Sequence, residues 1–152
     1  MALIGNEGGY SNNPSDPGGE TMWGVTARVA RAHGYGGPMR DMPREVAGEI
    51  CRKLYWDPLH CDEYDQRVAF QLLDANYNGG HVVLWMQQAV GIKADGVLGA
   101  QTIAAVKAAD PLPFTMCFLA ARLTYLTLTK PWPTFGAGWA HRIANNLRAG
   151  AR

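Results

Sequence analysis

Between Pro113 and Pro131 the chain reads "FTMCFLAARLTYLTLT". This run constrains the fold more than any other. Residues 113–129 are apolar almost all round, and a helix of that kind belongs inside a globular core. The run is too short to span a bilayer comfortably and carries Arg122 in its middle. A central buried helix is therefore the expectation.

The other segments read mainly as helices as well. Val46, Ile50 and Leu54 recur at every fourth position, so residues 43–55 predict a helix with one apolar stripe and Pro43 in its first turn. Residues 65–78 predict a second helix with Val68, Leu72 and Ala75 on one face, ending at Gly79-Gly80. A third covers 81–90. "AQTIAAVKAA" is an alanine-rich fourth, and "AHRIANNLRAG" is a short last one. "TARVARAHG" fits a short helix closed by Gly34. "KPWPTFGAGW" reads as a rigid aromatic loop and "TMWGVT" as a short strand. The fold class expected is mainly α, with a small β-element near the N-terminus.

The totals exclude more than they select. At 152 residues, one domain is the default, and 47% hydrophobic residues can bury a core. Three cysteines, Cys51, Cys61 and Cys117, make neither a disulfide framework nor a zinc pattern. They read as mostly buried thiols. The histidines are scattered, so no metal and no cofactor is expected. No secretory signal is visible, and synthesis in the cytoplasm is the expectation. A net charge of +1 gives no reason to expect a nucleic-acid partner. Its distribution is uneven, with net −4 over residues 1–110 and +5 over 111–152. A basic tail suits an anionic surface; the plain alternative is a solvated helix face.

The chemistry points to the other end of the chain. In "NEGGYSNNPSDPGGETMWGVT", Glu7 precedes four glycines and two prolines within residues 8–20. Cleaving a glycosidic bond needs a proton donor and either a nucleophile or a base that activates water. A glutamate where the chain turns sharply at Gly8-Gly9 fits the donor. The loop then brings Asp16 and Thr21 back toward it. Asp16 is also an ordinary turn former, and the β-branch of Thr21 also suits a strand. Tyr10 and Trp23 fit sugar stacking or core packing.

The stretch "EGGYSNNPSDPGGETMWGVT" resembles the signature of glycoside hydrolase family 108, muramidases of phages and bacteria. Glu7, Gly8, Gly9, Tyr10, Asn12, Pro14, Asp16, Pro17, Gly18, Gly19, Thr21, Gly24 and Thr26 fall on its pattern, with Asn13 in place of the usual Asp. "YWDPLHCD", "DANYNGG" and "WPTFGAGW" continue the likeness. The resemblance implies a lysozyme-like helical domain with Glu7 as the catalytic acid, acting on peptidoglycan glycan strands in the wall or periplasm. It also implies a catalytic segment at 1–80 and a peptidoglycan-binding-like helical segment at 81–152. The mark of the latter is Asp95, Gly96, Gly99 and Thr102 in "ADGVLGAQT"; a helix-turn-helix packing unit is the alternative. Asp74 and Asn78, one helical turn apart, are either a cleft wall or a buried bracing pair. A monomer is expected. Competing activities are a lytic transglycosylase and a non-catalytic wall-binding or secretion-activating protein.

Overall fold

In the structure, a computed structural model that describes residues 9–12 and 19–152, the packing divides the chain into two compact units at Pro58/Leu59.

The first unit is built on a hairpin. β1 (Thr21–Met22) pairs antiparallel with β2 (Val25–Thr26), and Ser11 bridges the other side of Thr21. The single strand expected over "TMWGVT" is thus two strands. They are joined by Trp23 at φ 52° and Gly24 at φ 78°. Positive φ at both central residues is what a two-residue hairpin turn of the favoured twist requires. Thr26 then caps α1 (Ala27–Ala32), its hydroxyl accepting from the Val29 N–H at 3.4 Å. A 3₁₀ turn (Met39–Asp41) leads to α2 (Arg44–Cys51), with Pro43 just outside it. Val25, Ala30, Met39, Met42, Ala47, Ile50 and Cys51 form the core of this unit.

The helix expected to run to residue 55 changes form at Cys51. Arg52–Trp56 is one wider turn of π type and Asp57–Leu59 a tighter 3₁₀ turn. Pro58 gives the reason: it has no N–H to donate back, and its ring crowds the preceding turn.

The second unit holds α3 (Gln66–Asn78), α4 (Val82–Ala89), α5 (Ala100–Ala108), α6 (Pro111–Thr127) and α7 (Trp132–Gly150). Asp65 and Asp110 cap α3 and α6 through their carboxylates, and Gly79 at φ 80° ends α3. α6 packs against α3, α4 and α7. It is central as expected but not enclosed. Phe114, Thr115, Phe118, Leu119 and Arg122 form its buried stripe, while Met116 (56% exposed) and Cys117 face outward.

The expected aromatic loop is helical. α7 begins at Trp132 and runs unbroken to Gly150. Pro131 and Pro133 stand at its entry, where helical N–H groups have no partner within the helix, so proline starts a helix there rather than breaking it. The Trp132 ring lies across Gly136, where an added Cβ would come within 2.7 Å of it.

Candidate functional site

Glu7 and Asp16 lie outside the described residues. What the structure gives is the frame that borders them in the chain. Ser11 and Thr21 exchange two backbone hydrogen bonds, at 2.9 and 2.8 Å, and Thr21 pairs with Thr26 on its other side. Thr21 is therefore fixed in the middle of a small sheet. Its hydroxyl reaches the Gly19 carbonyl at 3.4 Å, a long contact.

Tyr10, one residue before the bridge, donates its hydroxyl to Glu20 Oε1 at 2.6 Å. The Arg40 guanidinium lies 4.4 Å from the Tyr10 ring centroid. Tyr10, then Glu20 and Asp41, stabilise the charged form of Arg40. Trp23 is held in its turn by its indole N–H, which donates to the Met42 carbonyl at 2.9 Å, with Arg44 over the ring at 5.7 Å. Both rings also pack against the first core. The two candidate sugar platforms are thus already covered on one face by an arginine. Sequence reasoning missed Glu20 and Arg40; their polar types gave no signal apart from the ring they meet.

Asp74 sits elsewhere, in the second unit, and is 2% exposed. Oδ2 accepts from Arg122 at 2.6 Å and from Asn146 at 2.8 Å. Oδ1 accepts from Arg142 at 2.8 Å and from Asn78 at 3.4 Å. Asn78 also donates to the Asp74 carbonyl at 2.7 Å. A carboxylate offers about four lone-pair sites, and four donors occupy them. Asp74 therefore joins α3, α6 and α7 and has no acceptor left for a sugar; the bracing alternative is the one its geometry matches. Asn78, at the exposed end of α3, is the member of this pair that solvent reaches.

The "ADGVLGAQT" segment is organised by Gln87, buried on α4. Its amide nitrogen contacts Asp95 Oδ1 at 2.8 Å, the Val97 carbonyl at 3.0 Å and Thr102 Oγ1 at 3.1 Å, while its oxygen accepts from the Gly96 N–H at 2.9 Å. Asp95 also accepts from the Val97 N–H, and this bond, with the Gln87 amide next, holds its carboxyl below the usual range. Gly96 sits at φ 76°, a conformation that suits glycine. Asp95, Gly96 and Thr102 thus close a loop on Gln87.

A hollow of about 250 Å³ lies nearby, between the α4 entry and this loop, lined by residues that include Gly80, His81, Leu84 and Gly96. Among the described residues no group of three His, Cys, Asp or Glu side chains is placed to hold a metal, and no helix is long and apolar enough to cross a membrane.

Residues 1–80 match the family model of glycosyl hydrolase 108. Over 98% of this chain and 89% of the other, the fold is similar to the solved structure of Brucella abortus SagA, with 30% identity and a TM-score of 0.77. No curated protein matches the chain.

Proposed function

Because this chain belongs to glycosyl hydrolase family 108, we propose that it is a muramidase that hydrolyses the β-1,4 bond between N-acetylmuramic acid and N-acetylglucosamine in peptidoglycan. The observation that carries this reading is the family match over residues 1–80, the span that contains Glu7, Asp16 and Thr21.

In the proposed reaction Glu7 protonates the glycosidic oxygen as the bond to the anomeric carbon breaks. Asp16 activates or positions the water that attacks that carbon. Thr21, held between Ser11 and Thr26, orients this water or a sugar hydroxyl. The two carboxyl groups share the work only if their surroundings separate their pKa values, one remaining protonated while the other is ionised. No cofactor is called for in this scheme. Asn78 is the candidate contact to the glycan in the second unit. The enzyme is made in the cytoplasm and reaches the wall after release or export.

Purified peptidoglycan and mass spectrometry of its products provide the test. Wild type is expected to release muropeptides with a reducing end, and Glu7→Gln to lose about 10²–10⁴-fold in rate while remaining folded. An anhydro product would make the enzyme a lytic transglycosylase. Wall binding without any cleavage would favour the wall-binding or secretion-activating reading. Asp16→Asn is expected to lower turnover with little change in stability, since both residues make the same local turn bond.

A further inference from the structure

We propose that the turn joining α6 to α7 is a membrane-docking tip, which seats its apolar side chains in the headgroup region of an anionic lipid bilayer. This role is independent of the reaction assigned to Glu7. The tip reads "LTKPWPTF", residues 128–135. Leu128 is 81% exposed and Phe135 57%. The half-buried Trp139 ring stands next to Phe135, with centroids 5.9 Å apart, and the Trp132 ring lies 6.2 Å from Trp139. Trp132 is in turn braced across Gly136. The apolar surface of the tip is thus backed by a fixed aromatic cluster.

The backbone of this tip is paired within the hairpin. The Leu128 and Thr129 N–H groups donate to the Tyr125 and Leu126 carbonyls, each at 3.1 Å. Trp132 donates to the Thr129 carbonyl at 3.1 Å, and Thr134 and Phe135 both donate to that of Pro131 at 3.0 Å. Pro131 and Pro133 have no N–H to leave unmet. The first turn of a helix ordinarily leaves several N–H groups free, whereas at α7 these are used or absent. The hydroxyls on either side of Leu128 are spent as well. Thr127 donates to the Thr124 carbonyl and Thr129 to the Leu126 carbonyl, each at 2.7 Å. Such a surface carries little desolvation cost into a medium poor in water. The same pairing disfavours a glycan, which needs placed polar groups beside an apolar platform. Charge selects the kind of lipid. Lys130 is exposed within the tip, and no acid occurs in residues 111–152. Aromatic and aliphatic side chains with a cation among them are the composition of segments that settle about 5–10 Å into the boundary between headgroups and acyl chains. One helical turn rises about 5.4 Å, so the tip alone spans that depth.

Flotation with lipid vesicles tests this. Wild type is expected to float with vesicles of phosphatidylcholine and phosphatidylglycerol in equal parts, and more weakly with phosphatidylcholine alone. Leu128→Ser combined with Phe135→Ser should lower binding to both by at least about 10-fold, because two large apolar side chains leave the inserted surface. Lys130→Gln should lower binding to the anionic vesicles about fivefold and leave the neutral ones unchanged. Brominated lipid should quench tryptophan emission in wild type and not in the double variant. Turnover of purified peptidoglycan and the thermal midpoint should stay at wild-type values in these variants, since the three side chains are exposed. No binding of wild type to either vesicle, or equal binding by the double variant, would overturn the proposal. Two results would overturn it in favour of another occupant. Loss of binding to purified peptidoglycan in the double variant, with vesicle binding unchanged, would make the tip a glycan contact. Wild-type self-association in sedimentation velocity that the double variant abolishes, without any vesicle binding, would make it an interface between copies of this chain.

Discussion

Four donors converge on the Asp74 carboxylate, two of them arginines. Arg122 is 3% exposed and has no water to fall back on, so removing its partner leaves a buried charge uncompensated. Asp74→Ala is expected to destabilise the protein by about 3–5 kcal/mol in urea unfolding. Arg142→Gln should cost only about 1 kcal/mol, because the Arg142 side chain is 45% exposed and its pairing is screened. An Asp74→Asn variant with unchanged stability and weakened glycan binding would restore the cleft-wall alternative. Half of this arrangement was legible in the sequence. Arg122 inside an apolar run and Asp74 on an apolar helix each require a partner, but no periodic pattern pairs residues 48 positions apart. Trp23 was less legible. Its apolar type and its neighbours suggested a strand, whereas the structure puts it at φ 52°, a backbone region that costs a bulky residue about 1–2 kcal/mol. The core contacts and the Met42 bond must offset that strain.

Secondary-structure elements were most legible where one local signal decided them. α3 has an aspartate cap, a clear apolar face and a terminal glycine, and it forms where expected. α7 was misread at its start because prolines and glycines count as breakers unless the residues that follow supply a helix for them to open. The loop after α4 lies between these cases. Its Asp95, Gly96 and Thr102 were recognised as a unit, but the Gln87 that gathers them was not, since a lone glutamine on a helix carries no pattern. Gln87→Ala would leave several loop groups without partners and is expected to cost about 2–3 kcal/mol, with faster hydrogen exchange at Gly96 and Val97. A stable variant with unchanged exchange would show that the loop closes without it. The loop also has a pH dependence of definite sign. The folded pKa of Asp95 lies below its unfolded value of about 3.9, so its contribution is present above that value and is lost as pH falls through the folded pKa. The Val97 amide shift followed by NMR should therefore titrate with a midpoint below that of a free aspartate.

Across the whole molecule, charge is divided more sharply than the net of +1 suggests. Residues 111–152 contain five basic groups and no acid. The structure reduces what these groups offer to a partner. Arg122 is buried on Asp74, and Arg142 shares the same carboxylate. Lys130, Arg148 and Arg152 remain exposed, and Arg148 donates to the neutral Asn145 side chain at 2.9 Å. We propose that these three carry whatever electrostatic attraction this segment has for an anionic wall or envelope surface. Exposed charges are screened beyond about 8 Å at physiological ionic strength, so this attraction must weaken as salt rises. The turn that carries Lys130 also exposes Leu128 (81%), and Phe135 (57%) follows on α7, so an apolar contact insensitive to salt can remain beneath the electrostatic one. Replacing Lys130, Arg148 and Arg152 together with glutamine is expected to lower cosedimentation with cell walls at low salt and leave the residue bound at high salt unchanged. Arg142→Gln alone should alter stability more than sedimentation, because its charge already faces Asp74. If the triple variant sediments like wild type at every salt concentration, the arginines and lysine only keep the exposed side of α6 and α7 in solution, and attachment to the wall must come from the glycan contacts themselves.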